Sequence, residues 1–190
     1  MQSLFIIHSF NGNTKNSFGP YLVDKCTSLG LNVIFPDFPT GEDANYHDWS
    51  KILDNYLLDG TLNDNSIIIA HSLGAHFIPK YIAEKNVKIK VYISCAGFIN
   101  KTHKENTFDK IMNDFLPTEL QIEKDILLMK YRYAIYSNND PISSLKELEY
   151  YANKFKAEKI FIPNIGHLGP KSGITELPEA LEIISKHIIK

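Results

Sequence analysis

Arginine is nearly missing from this 190-residue chain: Arg132 stands alone, and the other 19 of its 20 basic residues are lysine. Bidentate clamping of phosphate by several guanidinium groups is therefore excluded. Cysteine is equally scarce. Cys26 and Cys95 are the only two, too few and too far apart for a disulfide framework or a zinc site, so no metal is expected and a reducing cytoplasm is the predicted compartment. No apolar run approaches the roughly 20 residues needed to cross a bilayer. The start, MQSLFIIHSF, has neither the basic opening nor the small-residue cleavage site of a secretory leader, which predicts that none is present. Charge of one sign is also lacking. A formal net charge of −2 leaves no electrostatic footprint for nucleic acid or for an anionic membrane surface. Repeats, low-complexity tracts and obvious linkers are absent too.

What is present is a core. Hydrophobic residues make up 44% of the chain, aromatics 12% and charged residues 22%, and the length suits a single domain over residues 1–190. Short apolar runs alternate with helical patterns from end to end. The runs Leu4–His8, Asn32–Phe35, Ser66–Ala70, Ile89–Ser94, Tyr133–Tyr136 and Lys159–Ile162 read as strands. Helical spacing appears over Phe18–Leu29, from about His47 to Gly60, over Leu73–Lys85 with Pro79 inside it and expected to kink it, over Ser144–Phe155 and over Leu177–Ile189. Residues Phe98–Met129 form a mixed helical insert. This alternation predicts an α/β, three-layer architecture: a mostly parallel sheet of about six strands with helices on both faces.

The chemistry centres on Ala70-His71-Ser72-Leu73-Gly74, between the strongest strand and a helix. A serine on such a sharp turn needs small neighbours, and Ala70 and Gly74 supply them. The turn lifts the hydroxyl above the strand ends and aims the helix N-terminus at it, so the Leu73 N–H becomes a candidate oxyanion donor. The plain alternative is a helix N-cap serine. A serine nucleophile needs a base. Of seven histidines, His167 has the right context, in Ile165-Gly166-His167-Leu168-Gly169 just past the last strand. His8, His47, His71, His76, His103 and His187 lack it; His71 is too close to Ser72 along the turn, and His76 reads as packed or exposed. The base needs an acid. Asp140, in Ser137-Asn138-Asn139-Asp140-Pro141 after the fifth strand, is the candidate, against a turn-forming Asp-Pro. Asp109, Asp114 and Asp125 in the insert read as solvated. In His8-Ser9-Phe10-Asn11-Gly12, after the first strand, the Phe10 N–H is the candidate second oxyanion donor.

Ser72, Asp140 and His167 each follow a separate strand, in the chain order expected of an α/β-hydrolase. The sequence resembles the small serine hydrolases of the retinoblastoma-binding-protein-9 or YdeN-like family. The resemblance is carried by His8–Gly12, the Ala70–Ala75 turn, Gly166-His167 with Thr175-Glu176-Leu177-Pro178-Glu179, and Phe35–Pro39 leading to Asp48-Trp49. It departs from the family at Ala70, where glycine is usual, and at Ser9, where His-Gly is more usual. In order and length it covers essentially the whole chain. It implies an α/β-hydrolase fold with a minimal lid or none, and Ser72, Asp140 and His167 fall on the family's triad positions.

The expected activity is hydrolysis of a carboxylic ester in a small-molecule acyl substrate, without metal or organic cofactor. Phe10, Phe98, Ile99, Phe108, Met112 and Phe115 are candidates to line an acyl pocket, with ordinary core packing as the alternative. The competing readings are a thioesterase or amidase, and a protein-binding module on a hydrolase fold.

Overall fold

Alternate residues of a strand point to opposite faces of a sheet, and in the central strands of this chain both sets are apolar, so both faces must be covered. The computed structural model, which describes residues 1–99 and 107–189 apart from the side chain of Phe108, shows how. His103 and the Phe108 side chain lie outside the described residues. Six parallel strands form one sheet in the order β2-β1-β3-β4-β5-β6. They are β1 (Ser3–Ile7), β2 (Asn32–Ile34), β3 (Ile67–His71), β4 (Ile89–Cys95), β5 (Met129–Tyr136) and β6 (Glu158–Phe161). Leu4, Ile6, Ile67, Ile69, Val91 and Ile93 face one layer, and Phe5, Ile7, Ile68, Ala70 and Tyr92 face the other.

The helices are α1 (Gly19–Ser28), α2 (Tyr46–Leu58), α3 (Leu73–Lys85), α4 (Thr107–Phe115), α5 (Glu119–Leu128), α6 (Leu145–Lys154) and α7 (Pro178–Lys186). Leu22 and Cys26 of α1 and Ile183 and Ile184 of α7 bury one face. Trp49 and Leu53 of α2 and Phe77, Ile78 and Tyr81 of α3 bury the other. Local sequence sets several helix starts. The Asn45 side chain accepts the Asp48 N–H at 2.8 Å, and Thr118 with Gln121 and Ser144 with Glu147 form capping boxes. Between β4 and β5, α4 and α5 pack against α3, and α4 also meets the 3-10 turn Gly41–Asp43.

The structure differs from the sequence reading at the start of β5 and at the insert carboxylates, each for a physical reason. β5 begins at Met129, four residues before the apolar run, because Met129 and Tyr131 pair with Ile89 and Val91 of β4. Arg132 lies in that early half, and its guanidinium donates to the carbonyls of Ile126, Met129 and Phe155 at helix ends; the lone arginine is a C-terminal helix clamp. Pro79 leaves α3 unbroken. Proline has no N–H for the Ala75 carbonyl, and the hydroxyls of Tyr92 (3.1 Å) and Tyr151 (2.8 Å) reach that oxygen instead.

The second difference concerns the insert carboxylates. Asp114 is solvent-exposed as expected, but Asp109 is buried and Asp125 is fully buried. Neither oxygen of Asp125 has a hydrogen-bond partner among the described residues. Its place on the inward face of α5 removes the carboxyl from water, and burial, opposed only by the charge of Lys124, pushes its pKa up to about 9. A raised acid pKa stabilises the fold fully below the unfolded value, and that contribution is lost as pH climbs through the folded one. Asp125→Asn should therefore match the wild type near pH 4 and become relatively more stable toward pH 9, by up to about 1.4 kcal/mol per pH unit. Melting curves of both proteins across that range check this; parallel profiles would contradict it.

Candidate active site

The chain leaves β1 toward β2 on one side, and β3 returns on the other. The crevice beyond the C-terminal ends of β1 and β3 is thus the topological switch point, where open α/β sheets bind ligands. Two loops flank it: residues 8–12 after β1 and the turn from β3 into α3.

Ser72 sits on that second turn with φ 54° and ψ −112°, a backbone conformation that costs a non-glycine residue roughly 1–3 kcal/mol. Its N–H donates to the Cys95 carbonyl at 2.9 Å. Two residues on, a Cβ at Gly74 would lie 2.9 Å from the His8 carbonyl oxygen and 2.9 Å from Ile7 Cγ2. Only glycine lets α3 start this close to β1. Leu73 is the first helical residue, so its N–H has no partner within the helix.

His167 Nε2 lies 2.9 Å from Ser72 Oγ, and His167 Nδ1 lies 2.7 Å from Asp140 Oδ2. A carboxylate accepts, so Nδ1 carries the proton and Nε2 is left to accept from the serine hydroxyl. Asp140 lies on a loop at an open sheet edge, where a carboxylate is ordinarily in contact with water. Its side chain is instead 1% exposed, because Oδ1 turns inward to accept the N–H groups of Ile142 (2.7 Å) and Ser143 (3.1 Å). Burial pushes its carboxyl pKa up, but the hydrogen bond and charge of His167, joined by those two amides, outweigh it and hold the pKa below the ordinary value. Asp140 is an ionised carboxylate at neutral pH.

The loops of Asp140 and His167 are laced together by polar side chains that sequence reasoning passed over. Asn138 Oδ1 accepts the Asn164 N–H at 2.9 Å, Ser137 Oγ the Ile165 N–H at 3.1 Å, and Asn139 Oδ1 the Gly166 N–H at 2.7 Å. Ser172 Oγ accepts the His167 N–H at 3.1 Å. In the sequence, Ser-Asn-Asn-Asp-Pro carries only the composition of a turn; its partners lie 26–28 residues away.

Phe10 lies on the turn after β1, half-buried. That turn is held by Gly12 N–H on Ser9 O (2.9 Å) and Gly41 N–H on Phe10 O (3.0 Å). His8 braces it: Nδ1 donates to the Ser9 carbonyl at 2.8 Å, and Nε2 accepts the Phe38 N–H at 3.1 Å. Burial lowers the His8 pKa, against its hydrogen bonds and the charge of Asp37, so the ring stays neutral. His47 is exposed beside Asp48, His187 meets Tyr133 at the other end of the sheet, and His76 is buried against Phe98.

The expected acyl lining divides. Phe98, Met112 and Phe115 are core residues, at most 7% exposed, with Phe115 packed against Trp49 and Tyr46. Phe115 packs beneath α2 and α3. Phe10 and Ile99 are only partly buried. A cavity of about 20 Å³ lies on the opposite side, between His8, Ser9, Asn13, Ser17 and His71; it has room for about one water. Among the described residues no cluster of three or more histidine, cysteine or acidic side chains could hold a metal ion, and no helix is long and apolar enough to cross a membrane.

Comparison with known proteins agrees with this architecture. Residues 4–186 match the model of the serine hydrolase family. The putative hydrolase YdeN of Bacillus subtilis (strain 168) is 21% identical over 189 residues, covering 100% of this chain and 97% of that protein. The crystal structure of the B. subtilis ydeN gene product superposes with a TM-score of 0.84 at 22% identity, covering 98% of each chain. Est1E of Butyrivibrio proteoclasticus, solved with ferulic acid bound, superposes with a TM-score of 0.74 at 14% identity, covering 100% of this chain and 90% of that one. The fold is that of the α/β-hydrolases, and the chain belongs to the serine hydrolase family.

Proposed function

We propose that this protein hydrolyses a carboxylic ester of a small-molecule acyl substrate through a covalent acyl-enzyme, with Ser72 as nucleophile, His167 as general base and acid, and Asp140 as its orienting carboxylate. The observation that carries this reading is the hydrogen-bonded line from Asp140 through His167 to Ser72 at the switch point of the sheet. Ser72 Oγ attacks the ester carbonyl carbon as its proton passes to His167 Nε2. The oxyanion of the tetrahedral intermediate takes the N–H groups of Leu73 and Phe10. The bond to the alcohol oxygen then breaks, and the proton on Nε2 goes to that oxygen. Water, deprotonated by His167, attacks the acyl carbon and releases the acid, restoring the Ser72 hydroxyl. No step calls for a metal or cofactor. The solved neighbour Est1E holds ferulic acid, a carboxylic acid of the kind that acyl hydrolysis releases; esters, thioesters and amides undergo the same steps. Two free, buried cysteines fit a cytoplasmic setting.

A fluorophosphonate probe tests the nucleophile and separates hydrolase from pure binding module. It should label Ser72 and no other serine, and Ser72→Ala should abolish labelling. Peptide mapping that places the label elsewhere, or folded protein that takes none, would contradict the assignment.

The orienting carboxylate has its own test. Asn at position 140 can donate to His167 Nδ1, which leaves a proton on Nε2 facing Ser72. Asp140→Asn should lower kcat roughly 10⁴-fold, about 5 kcal/mol in barrier. Because the carboxylate is buried and accepts two amides, stability should also fall, by about 1–3 kcal/mol. The exposed Asp114→Asn should leave kcat unchanged. Ester hydrolysis and thermal melts on both variants decide the matter, and near-full kcat in Asp140→Asn would move the acid elsewhere.

A further inference from the structure

His71 precedes the nucleophile and takes no part in the proton path above, yet its position is tightly determined. The imidazole is buried, and its Nε2 lies 2.6 Å from the carbonyl oxygen of His167, 96 residues away in sequence. A carbonyl only accepts, so Nε2 of His71 carries the proton and donates. The two imidazole rings lie 5.2 Å apart, inclined at 47°, and the ring of Phe18 meets His71 from 5.8 Å. Gly169 presses close: a Cβ there would come within 3.3 Å of His71 Cε1. The next residue after His167, Leu168, has φ 59°, so the loop turns sharply just where this hydrogen bond grips it.

The backbone of His167 is thus held at both polar atoms. Ser172 accepts its N–H from within the same loop. His71 donates to its carbonyl from the residue next to Ser72. Burial, reinforced by the charge of a protonated His167, lowers the His71 pKa to about 3. The ring therefore stays neutral and puts no second cation beside the imidazolium that forms on attack.

We propose that His71 is a positioning residue: rooted in the Ser72 turn, it holds the His167 backbone so that Nε2 stands within reach of the serine hydroxyl before substrate arrives. This rests on the assignment of His167 as base. A donor fixed to the nucleophile's own turn makes the Ser72–His167 distance a property of the free protein. Misplacement by about 1 Å can cost about 10²-fold in rate, and such a loss falls on the chemical step, not on substrate binding.

Three variants isolate the donor. Gln at position 71 carries an amide N–H group at the reach of Nε2. Asn is too short to deliver one, and Leu has none. With p-nitrophenyl butyrate, His71→Leu and His71→Asn should lose about 10–100-fold in kcat with KM changed less than about 2-fold, while His71→Gln stays within about 3-fold of wild type. Thermal melts run alongside show which variants fold, and either Leu or Asn suffices for the comparison. Folded Leu or Asn variants with kcat within about 3-fold of wild type would overturn the proposal, as would a Gln variant that falls with them. His167→Ala keeps the two readings apart: if it is inactive while His71→Leu is fully active, only the positioning role fails; if it is itself active, the assignment of the base fails.

Discussion

The close approach of α3 to the end of β1 is the constraint on which the site depends. Gly74 lies against the carbonyl oxygens of Ile7 and His8 with no room for a side chain. Ser72, two residues earlier, must then turn from strand to helix in one step, and it does so at φ 54°. The strain is held by the sheet on both sides. The Ser72 N–H is tied to the end of β4 at Cys95, and the fully buried β3 behind it registers residue by residue with β1 and β4. Relaxing the turn would require either lifting α3 off β1 or breaking that ladder. A serine hydroxyl above the strand ends follows from packing before any chemistry is considered.

The second constraint is electrostatic and also arises from placement. Asp140 is buried and still ionised, because an imidazole N–H and two backbone amides replace the water it loses. His8 and His71 are buried as well, and each is kept neutral by that burial. Ser72 and His167 therefore stand beside the Asp140 carboxylate and two neutral rings. In the proposed mechanism, a positive charge developing on His167 would meet the carboxylate and no competing cation among these three. The laced loops 137–140 and 164–167 make this arrangement rigid, since successive backbone N–H groups of the histidine loop are each taken by a side chain of the acid loop.

Much of this was legible in the sequence, for identifiable reasons. Ser66–Ala70, Ile89–Ser94 and Leu4–His8 are apolar on both faces, and only a doubly covered parallel sheet explains such runs. The chain order of Ser72, Asp140 and His167, each just past a strand, placed them on one sheet edge. What could not be read depends on partners distant in sequence. Met129 and Tyr131 join β5 because β4 is alongside. Asp125 resembles any solvated helix residue until α5 docks with that side inward. Asn138, Asn139 and Ser172 look like turn residues until the two loops meet. Adjacency to Ser72 along the turn makes His71 a poor candidate for the base, and the same adjacency gives its hydrogen bond to His167 a structural meaning. Phe98, Met112 and Phe115 have the composition of an acyl pocket and the burial of a core.

The central claim is that Ser72 itself carries the acyl group during turnover. Rapid mixing with p-nitrophenyl acetate, followed by acid quench and mass spectrometry of the digested protein, measures this directly. The account predicts a burst of nitrophenolate matched by an acetyl group on the peptide that contains Ser72, decaying as the steady state is exhausted. Steady turnover with that peptide unmodified, and the acetyl group on another residue or on none, would contradict it.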